Sequence, residues 1–389
     1  MKRIIGLGGL SYFVIGLATV IFGTLLSELL QEYNRSFSSG GSLVFAQFAG
    51  FLGGVLLAPH GARRLGYRRV ISLSFAGLFL AHTVLFFRPS WSVLFIPAAL
   101  NGFSFGMAQT AIGTMLLEAQ DNKKAVTMSR LEVSFGIGAF VMPLISSFFL
   151  RNSNGAGPFA IVALCALALA ILWSRMPLDR EAALGSKKKS DADVPALPGK
   201  KRIRLYPLVF LMIYVFLYVG LETSVINFLP SVLAHRLHLE SSQAALAVSV
   251  FWISMIIGRL FSGVTAERIS YFTYLLISTS GALLLLIGFA VFHPKWMVFT
   301  LVFLIGLFLS GIFAIAIVYA NSKNPDTTKQ TTSIIIASGG IGGAVLPLLI
   351  GWSMDAIQPD AAIWLLTGFA ALMILFLLRA GTARSAKRQ

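Results

Sequence analysis

Glu222 lies in the stretch YVGLETSVINFLP at 218–230, inside a run of the chain that is otherwise almost entirely apolar. A charged side chain at the centre of a membrane-spanning helix costs about 2.5–3.5 kcal/mol, so it usually has a functional role or a partner. A carboxyl group withdrawn from water holds its proton more tightly, and in its ionised form it accepts hydrogen bonds from hydroxyl groups. Glu222 could therefore carry a proton or bind a hydroxylated solute. A hydrogen bond or ion pair to a neighbouring helix is the alternative.

Other polar side chains also interrupt apolar runs. Gln109 brings amide donors and an acceptor to the middle of its run, and Trp252 could offer an aromatic face to a sugar ring. Glu132 could also carry a proton, although its place near the end of a run equally fits a carboxylate at the membrane interface. The candidates for substrate binding are Gln109, Asn227, Trp252, Glu222 and Asn101, and those for proton coupling are Glu222 and Glu132. For Gln109 the alternative is a packing hydrogen bond, and for Trp252 it is packing against a neighbouring helix.

These side chains belong to a chain that is far too apolar for a soluble fold. Of its 389 residues, 57% are hydrophobic and 12% are charged, and the mean hydropathy is +0.82. Soluble domains carry about 25% charged residues. Apolar runs of roughly 18 to 27 residues recur along the chain, and each is long enough to cross a hydrocarbon core about 30 Å thick. The sequence therefore predicts an all-α membrane protein with twelve transmembrane helices.

The distribution of basic residues predicts how this chain crosses the membrane. The predicted spans are 4–30, 41–59, 70–87, 92–117, 128–150, 156–174, 205–233, 244–264, 271–292, 296–320, 331–352 and 359–378. Of the 31 Lys and Arg residues, the side opposite the termini carries only Arg35, Arg88, Arg151, Arg236 and Lys295. Because cytoplasmic loops are enriched in Lys and Arg, both termini are expected in the cytoplasm of a multi-pass cell-membrane protein. The net charge of +16 is then a topology signal, and no nucleic-acid partner is expected.

Enzyme chemistry has little support in the sequence. The single cysteine, Cys165, excludes an internal disulfide and a cysteine-based metal cluster. The five histidines form no convincing set of metal ligands. The chain also lacks a nucleotide-binding glycine loop and a nucleophile with its base. We therefore expect a non-enzymatic protein without a metal or other cofactor.

A charged, proline-containing segment at 175–204 divides the chain into two sets of six spans. Such a composition cannot form a buried core, so the segment is predicted to be a cytoplasmic linker. The predicted domains are an N-terminal six-helix half at 1–174 and a C-terminal half with a short basic tail at 205–389.

The two halves resemble each other at a constant shift of 204 residues. GLAT at 16–19 matches GLET at 220–223, and GIGAFVMP at 136–143 matches GIGGAVLP at 340–347. Gly54 and Gly258, Arg64 and Arg268, and Gly102 and Gly306 are further identities at the same shift. The repeat predicts a duplicated six-helix unit in parallel orientation, a plan that suits a secondary transporter. In this alignment apolar residues stand opposite three of the candidates: Ala18 aligns with Glu222, Phe313 with Gln109 and Ile336 with Glu132. The shared scaffold therefore does not require the polar residues.

The stretch GVLLAPHGARRLGYRRV at 54–70 resembles the basic loop between the second and third spans of the major facilitator superfamily. Arg64, Gly66, Arg68 and Arg69 fit that pattern, whereas Arg63 stands where an aspartate is expected. In the second half, GVTAERIS at 263–270 supplies Glu267 and Arg268, and Ser270 replaces the glycine. The resemblance implies gating roles for Arg64, Glu267 and Arg268. Arg259 is a further gating candidate, with Glu267 or a backbone carbonyl as its expected partner.

Longer stretches resemble the fucose/glucose symporter branch of this superfamily, and within it the bacterial glucose/mannose:proton symporters. They include MSRLEVSFGIGA at 128–139, YVGLETSVINFLPS at 218–231 and FLIGLFLSGIFAIA at 303–316. The resemblance implies proton-coupled uptake of a neutral hexose by alternating access. Gln109 departs from the branch, because it stands where a glutamate implicated in proton movement is common. An amide cannot release a proton, so Glu222 becomes the principal candidate for coupling.

The alternative function is a drug:proton antiporter that exports hydrophobic compounds through a phenylalanine-lined path. Against it, the fifth span reads GAFVMPLIS at 138–146 and lacks the Gly-Pro and Gly-Gly pairs usual in antiporters. For either function the expected partners are a small-molecule substrate and the lipid bilayer. One protomer should contain a whole pathway, so a monomer without an obligatory protein partner is expected. The sequence leaves sodium open as an alternative to the proton.

Overall fold

The computed structural model describes residues 2–118, 124–152, 154–176 and 205–382. This part of the chain folds into thirteen α-helices and one short 3₁₀ turn, Pro325–Thr327. The helices are α1 Lys2–Glu32, α2 Phe37–Leu65, α3 Tyr67–Phe86, α4 Trp91–Glu118, α5 Lys124–Arg151, α6 Gly157–Arg175, α7 Leu205–Arg236, α8 Ser241–Ile269, α9 Tyr271–Val291, α10 Lys295–Leu309, α11 Ile312–Lys323, α12 Thr328–Ala356 and α13 Ala361–Thr382. They contain twelve stretches long and apolar enough to cross a membrane, since α10 and α11 together form one. The twelve predicted spans are confirmed.

The tenth span is not the continuous helix that the sequence predicted over 296–320. Helix α10 ends at Leu309 and α11 begins at Ile312. Between them, the Ser310 hydroxyl donates to the Leu307 carbonyl at 2.7 Å, a local bond that competes with regular helix bonding. A methyl group on Gly311 would collide with Tyr274 and Ser262, so glycine is needed there for packing, and Gly/Ser pairs are a recognised cause of helix kinks. The break therefore has a local chemical cause that hydropathy does not register.

The described residues form two compact units. The first comprises the described residues within Met1–Thr19, Ala49–Gly138 and Ala156–Arg202, and the second those within Val20–Phe48, Ala139–Gly155 and Ile203–Gln389. In the first unit α3 packs against α4 and α6, and in the second unit α7 packs against α12, α13, α8 and α11. The predicted linker falls almost entirely on residues 177–204, which lie outside the described residues. The predicted domain boundaries therefore stay a prediction.

The repeated glycines make the same kind of close helix contact in each half. A methyl group on Gly138 of α5 would lie 2.0 Å from the Phe13 carbonyl oxygen of α1. A methyl group on Gly342 of α12, 204 residues later, would lie 2.0 Å from the Phe216 carbonyl oxygen of α7. Neither position can accept a side chain, because such contacts are far inside van der Waals distance. The matching GIG runs are thus packing motifs, and the duplication extends to the helix contacts they make.

Within the second unit, Asp355 near the end of α12 caps the beginning of α2. Its two carboxylate oxygens accept hydrogen bonds from the backbone N–H groups of Phe37 at 2.9 Å and Ser38 at 2.7 Å. These N–H groups have no partner inside their own helix, and a negative charge is favourable at a helix N-terminus. A methyl group on Gly351 would lie 2.5 Å from the Phe37 carbonyl oxygen, so the two backbones approach closely at this point. Asp355 therefore fastens α2 to α12.

The two predicted basic loops are helical except at one residue each, which corrects the sequence interpretation. Helix α2 continues to Leu65, and Gly66 alone separates it from α3. Helix α8 continues to Ile269, and Ser270 alone separates it from α9. Alanine, leucine and arginine favour helix, so each helix lengthens until a residue turns the chain. That residue has positive φ in both halves, 80° at Gly66 and 84° at Ser270.

The backbone of Ser270 is strained and that of Gly66 is not, because this positive-φ conformation is almost restricted to glycine. We expect Ser270→Gly to stabilise the protein by about 1 kcal/mol, since relief of strain outweighs the few tenths lost with the Ser270 cap on the Thr273 N–H. Gly66→Ser is the matched control and should destabilise it by about 1–2 kcal/mol. A methyl group on Gly66 meets nothing within 4 Å, so only the backbone conformation is tested. Thermal unfolding in detergent measures both changes, and a lower melting temperature for Ser270→Gly would contradict the expectation.

Candidate functional site

Glu222 forms an ion pair with Arg259 of α8. Its Oε1 lies 3.5 Å from an Arg259 guanidinium nitrogen. The Glu222 side chain is 14% exposed and that of Arg259 is 31% exposed, so the pair is largely withdrawn from solvent. A carboxylate on an apolar helix needs such a counter-charge, because an isolated buried charge is very costly. The ion-pair alternative for Glu222 is thus what the structure contains.

Arg259 also connects Glu222 with Trp252. Its guanidinium carbon lies 5.6 Å from the centroid of the Trp252 ring, within the range of a cation–π contact. Trp252 lies two helical turns earlier on α8 and is buried. Two of the predicted residues, Glu222 and Trp252, are therefore brought together around the guanidinium group of a third, Arg259.

Glu267 is not the partner of Arg259 that the sequence suggested. It lies eight residues further along α8, about 12 Å away along the helix axis, and is exposed. Arg64 and Arg268 are exposed as well, each in the last turn of its helix. The gating roles of these three residues stay a prediction.

A polar stripe along α7 contains Tyr214, Tyr218 and Glu222, and the sequence interpretation missed the two tyrosines. The Tyr218 hydroxyl donates to the Leu309 carbonyl at 2.9 Å, and the Tyr214 hydroxyl lies 2.7 Å from the Thr279 hydroxyl. Both side chains are fully buried. Spacing of four residues places Tyr214, Tyr218 and Glu222 on one face of the helix. That spacing was visible in the sequence and is the signal that could have identified them.

Asn227 lies apart from Glu222. It is fully buried, and its amide nitrogen donates to the Thr223 carbonyl at 2.8 Å. A methyl group on Gly23 would lie 2.8 Å from the Cα atom of Asn227, so α1 packs closely on this part of α7. Five residues correspond to about 140° around a helix, which accounts for the separation of Asn227 from Glu222.

In the first unit, two predicted residues lie around Tyr12 of α1. The Tyr12 hydroxyl donates to the backbone carbonyl of Gln109 at 3.0 Å. Glu132 is close enough to interact electrostatically with the same phenol. The side chains of Gln109 and Glu132 are both half-buried. The interactions of Tyr12 with Gln109 and Glu132 thus connect α1 with α4 and α5 in this unit.

Asn101 has a packing contact in the structure. It is fully buried in α4, and its amide nitrogen donates to the Ala18 carbonyl of α1 at 3.2 Å. A bond to a helix backbone holds the two helices together, so this contact is one of helix packing. Its substrate-binding role stays a prediction.

The chemistry of these groups is that of charge pairing and hydrogen bonding. Within the described ranges, no group of three or more His, Cys, Asp and Glu side chains could hold a metal ion. The pair of Glu222 and Arg259 has no net charge, and its nitrogen–oxygen distance of 3.5 Å is longer than the roughly 2.7–2.9 Å of a tight charge-assisted hydrogen bond. Such a pair is separable, so Glu222 could exchange Arg259 for a proton or for a hydroxyl group.

Comparisons with known proteins agree with this architecture. A family model described as Major Facilitator Superfamily matches residues 8–327 and 221–389. The glucose/mannose transporter GlcP of Bacillus subtilis is 32% identical over 349 residues, which cover 88% of this chain and 86% of the relative. Sodium-dependent glucose transporter 1A of Mus musculus is 23% identical over 398 residues, which cover 92% of this chain and 91% of the relative.

Solved structures show the same fold at low sequence identity. The D-xylose-proton symporter superposes with a TM-score of 0.74 and 16% identity over 96% of each chain. A mutant of the nucleoside transporter NupG gives a TM-score of 0.75 at 13% identity, over 96% of this chain and 98% of that one. These superpositions confirm the fold class, twelve transmembrane helices in two parallel-repeat six-helix halves.

The pairing of Glu222 with Arg259 predicts non-additive effects on stability. Glu222→Gln or Arg259→Gln each leaves a charge without its counter-ion, and each should destabilise the protein by about 1–3 kcal/mol. The double variant carries no charge, so it should lose less than the sum of the two single losses. Thermal unfolding of the three variants in the same detergent measures this. Strictly additive losses would show that the two charges do not stabilise each other.

Proposed function

Because this chain belongs to the major facilitator superfamily, we propose that it takes up a neutral hexose such as glucose or mannose, together with a proton. The observation that carries the proposal is the 32% identity to a glucose/mannose transporter over 88% of this chain. A match of that length extends through most of both halves. The proposed place of action is the cell membrane, with both termini in the cytoplasm.

The charge of the site in the second unit supports a neutral substrate. Glu222 and Arg259 cancel each other, so a solute without charge meets no uncompensated field. Trp252 offers an aromatic ring beside the pair, and such rings bind the apolar face of sugars. Gln109 is the matching candidate in the first unit, with amide donors and an acceptor for sugar hydroxyls. Asn101 and Asn227 remain secondary binding candidates.

The proposed coupling step is the exchange of Arg259 for a proton at Glu222. Paired with Arg259, the carboxylate is stabilised in its ionised form; separated from it in a poorly hydrated site, the carboxylate binds a proton. Glu222 is therefore neutralised at both ends of the exchange, once by a cation and once by a proton, and its charge is unpaired only in the step between them. Alternating access of the two halves would carry the neutralised site from one side of the membrane to the other. Glu132 is the second candidate for coupling.

Sodium is the alternative coupling ion, and a monomer is the proposed functional state. A relative named as a sodium-dependent glucose transporter motivates the ion test. The drug:proton antiporter alternative gains no support from the relatives or structures reported above. Lipophilic cations therefore serve only as competitors in the transport experiment.

Uptake into proteoliposomes tests this function. With an inward proton gradient and no sodium, the unmodified protein should accumulate labelled glucose, and unlabelled mannose should compete. A protonophore should abolish accumulation. Glu222→Gln should reduce accumulation at least tenfold while leaving glucose exchange, because a permanently neutral side chain moves no proton.

Asp360→Asn is the matched control for that variant. Asp360 is also an arginine-paired carboxylate, 3.8 Å from Arg236, but it lies outside the candidate site. It should retain accumulation. Normal accumulation by Glu222→Gln would exclude Glu222 as the coupling group, and sodium dependence without proton dependence would replace the ion. Competition by lipophilic cations but by no hexose would overturn the proposed substrate class.

A further inference from the structure

The break in the tenth span has one of its backbone carbonyls bonded to helix α7. Leu309 is the last residue of α10, and carbonyls at a helix end lack partners within their own helix. The Leu309 carbonyl accepts the Tyr218 hydroxyl at 2.9 Å. Tyr218 is fully buried, so water does not replace this bond while the packing is intact. The bond is therefore a direct connection between α7 and the break.

The same hydroxyl is also within reach of the charge pair. Glu222 lies one turn further along α7, and its carboxylate interacts with the Tyr218 side chain, as do Arg259 of α8 and Tyr214 on the same helix. A phenol has a single proton to donate. The Leu309 carbonyl and the Glu222 carboxylate therefore compete for it.

The outcome of that competition depends on the state of Glu222. An ionised carboxylate is a stronger acceptor than a backbone carbonyl, because charge-assisted hydrogen bonds are roughly twice as strong as neutral ones. Pairing with Arg259 or binding of a proton makes Glu222 a weaker acceptor for the Tyr218 hydroxyl. In the structure Glu222 is paired with Arg259, and the Tyr218 proton goes to Leu309. An ionised Glu222 without Arg259 would instead attract the Tyr218 proton and leave the Leu309 carbonyl without its bond.

We propose that Tyr218 is a positioning residue that transmits the charge state of Glu222 to the break between α10 and α11. The proposal rests on the proposed function, since it assigns the residue that links the coupling group to the break. When Glu222 is neutralised by Arg259 or by a proton, Tyr218 keeps its hydrogen bond to the Leu309 carbonyl and fixes the break against α7. When Glu222 is charged and without a cation, the bond to Leu309 is lost and the break loosens.

The connection is specific to the second half of the duplicated fold. The positions 204 residues before Tyr218, Glu222 and Arg259 are Val14, Ala18 and Val55. In the first half, Tyr12 donates to a carbonyl of α4, which is one continuous helix over Trp91–Glu118. Tyr12 is not at the repeat position of Tyr218, since 204 residues after Tyr12 stands Phe216. Among the described residues, the tyrosine–carbonyl bond of the first half therefore joins a continuous helix, whereas that of Tyr218 joins a break.

Tyr214 provides the matched control for a test of Tyr218. It is a buried tyrosine on the same face of the same helix, but its hydroxyl meets the Thr279 side chain of the continuous helix α9. Tyr218→Phe and Tyr214→Phe each remove one hydroxyl group and leave the ring. A general loss of packing or folding would affect both variants alike.

Amide hydrogen exchange of the purified protein, without sugar, tests the proposal independently of transport. In Tyr218→Phe the amides around 309–315 should exchange about three- to tenfold faster, because one hydrogen bond is removed. Arg259→Gln should accelerate the same amides at a pH high enough to ionise Glu222, and it should add nothing further in the Tyr218→Phe background. Tyr214→Phe should leave them unchanged. Unchanged exchange in Tyr218→Phe, or equal effects of both tyrosine variants, would overturn the proposal even for a proven hexose symporter.

Transport gives the second measurement. Tyr218→Phe should lower glucose accumulation at least fivefold while glucose exchange stays within about twofold, since sugar still moves but the break no longer responds to Glu222. Adding Tyr218→Phe to Glu222→Gln should cause no further loss of accumulation. A proportional loss of exchange and accumulation would assign Tyr218 a merely structural role. Failure of the unmodified protein to transport any hexose would overturn the proposed function instead, and the exchange measurement would still decide the role of Tyr218 at the break.

Discussion

A charge inside an apolar helix must be neutralised, and the arrangement of the second unit follows from this constraint. Two unit charges about 4 Å apart in a partly buried site attract by about 4 kcal/mol, whereas withdrawing each ion from water costs several kcal/mol. Glu222 and Arg259 therefore gain little net stability from their pair. A pair so close to balance is poorly suited to hold a fold together. It is well suited to separate when a proton can take the place of the guanidinium group.

The duplicated scaffold explains why this chemistry can be confined to one half. The close glycine contacts recur in both halves, as at Gly138 and Gly342, so they are needed to pack each helix bundle. Glu222, Arg259 and Tyr218 have apolar counterparts in the first half. Both halves thus share the glycine contacts that pack the helices, and one half can carry ionisable groups that the packing does not require. The break in the tenth span lies in that same half, next to the polar stripe of α7.

Much of this fold could be predicted from the sequence because its signals are local. Hydropathy identified the twelve spans, and the repeat identified the glycines that pack them. The partner of Glu222 could not be predicted, since it depends on how α7 and α8 are rotated against each other. Hydropathy also could not reveal the break at Ser310 and Gly311, because a span remains apolar whether or not its backbone is regular. The basic segments appeared to be loops for the opposite reason, since their charges obscured helices that continue to Leu65 and Ile269.

The proposed coupling depends on Glu222 carrying the proton, and proton movement tests this most directly. Proteoliposomes with a trapped pH dye would be given an inward glucose gradient without any proton gradient. We expect the unmodified protein to acidify the lumen as glucose enters, and Glu222→Gln to admit glucose without acidification. Acidification at the unmodified ratio of protons to sugar in Glu222→Gln would contradict this expectation.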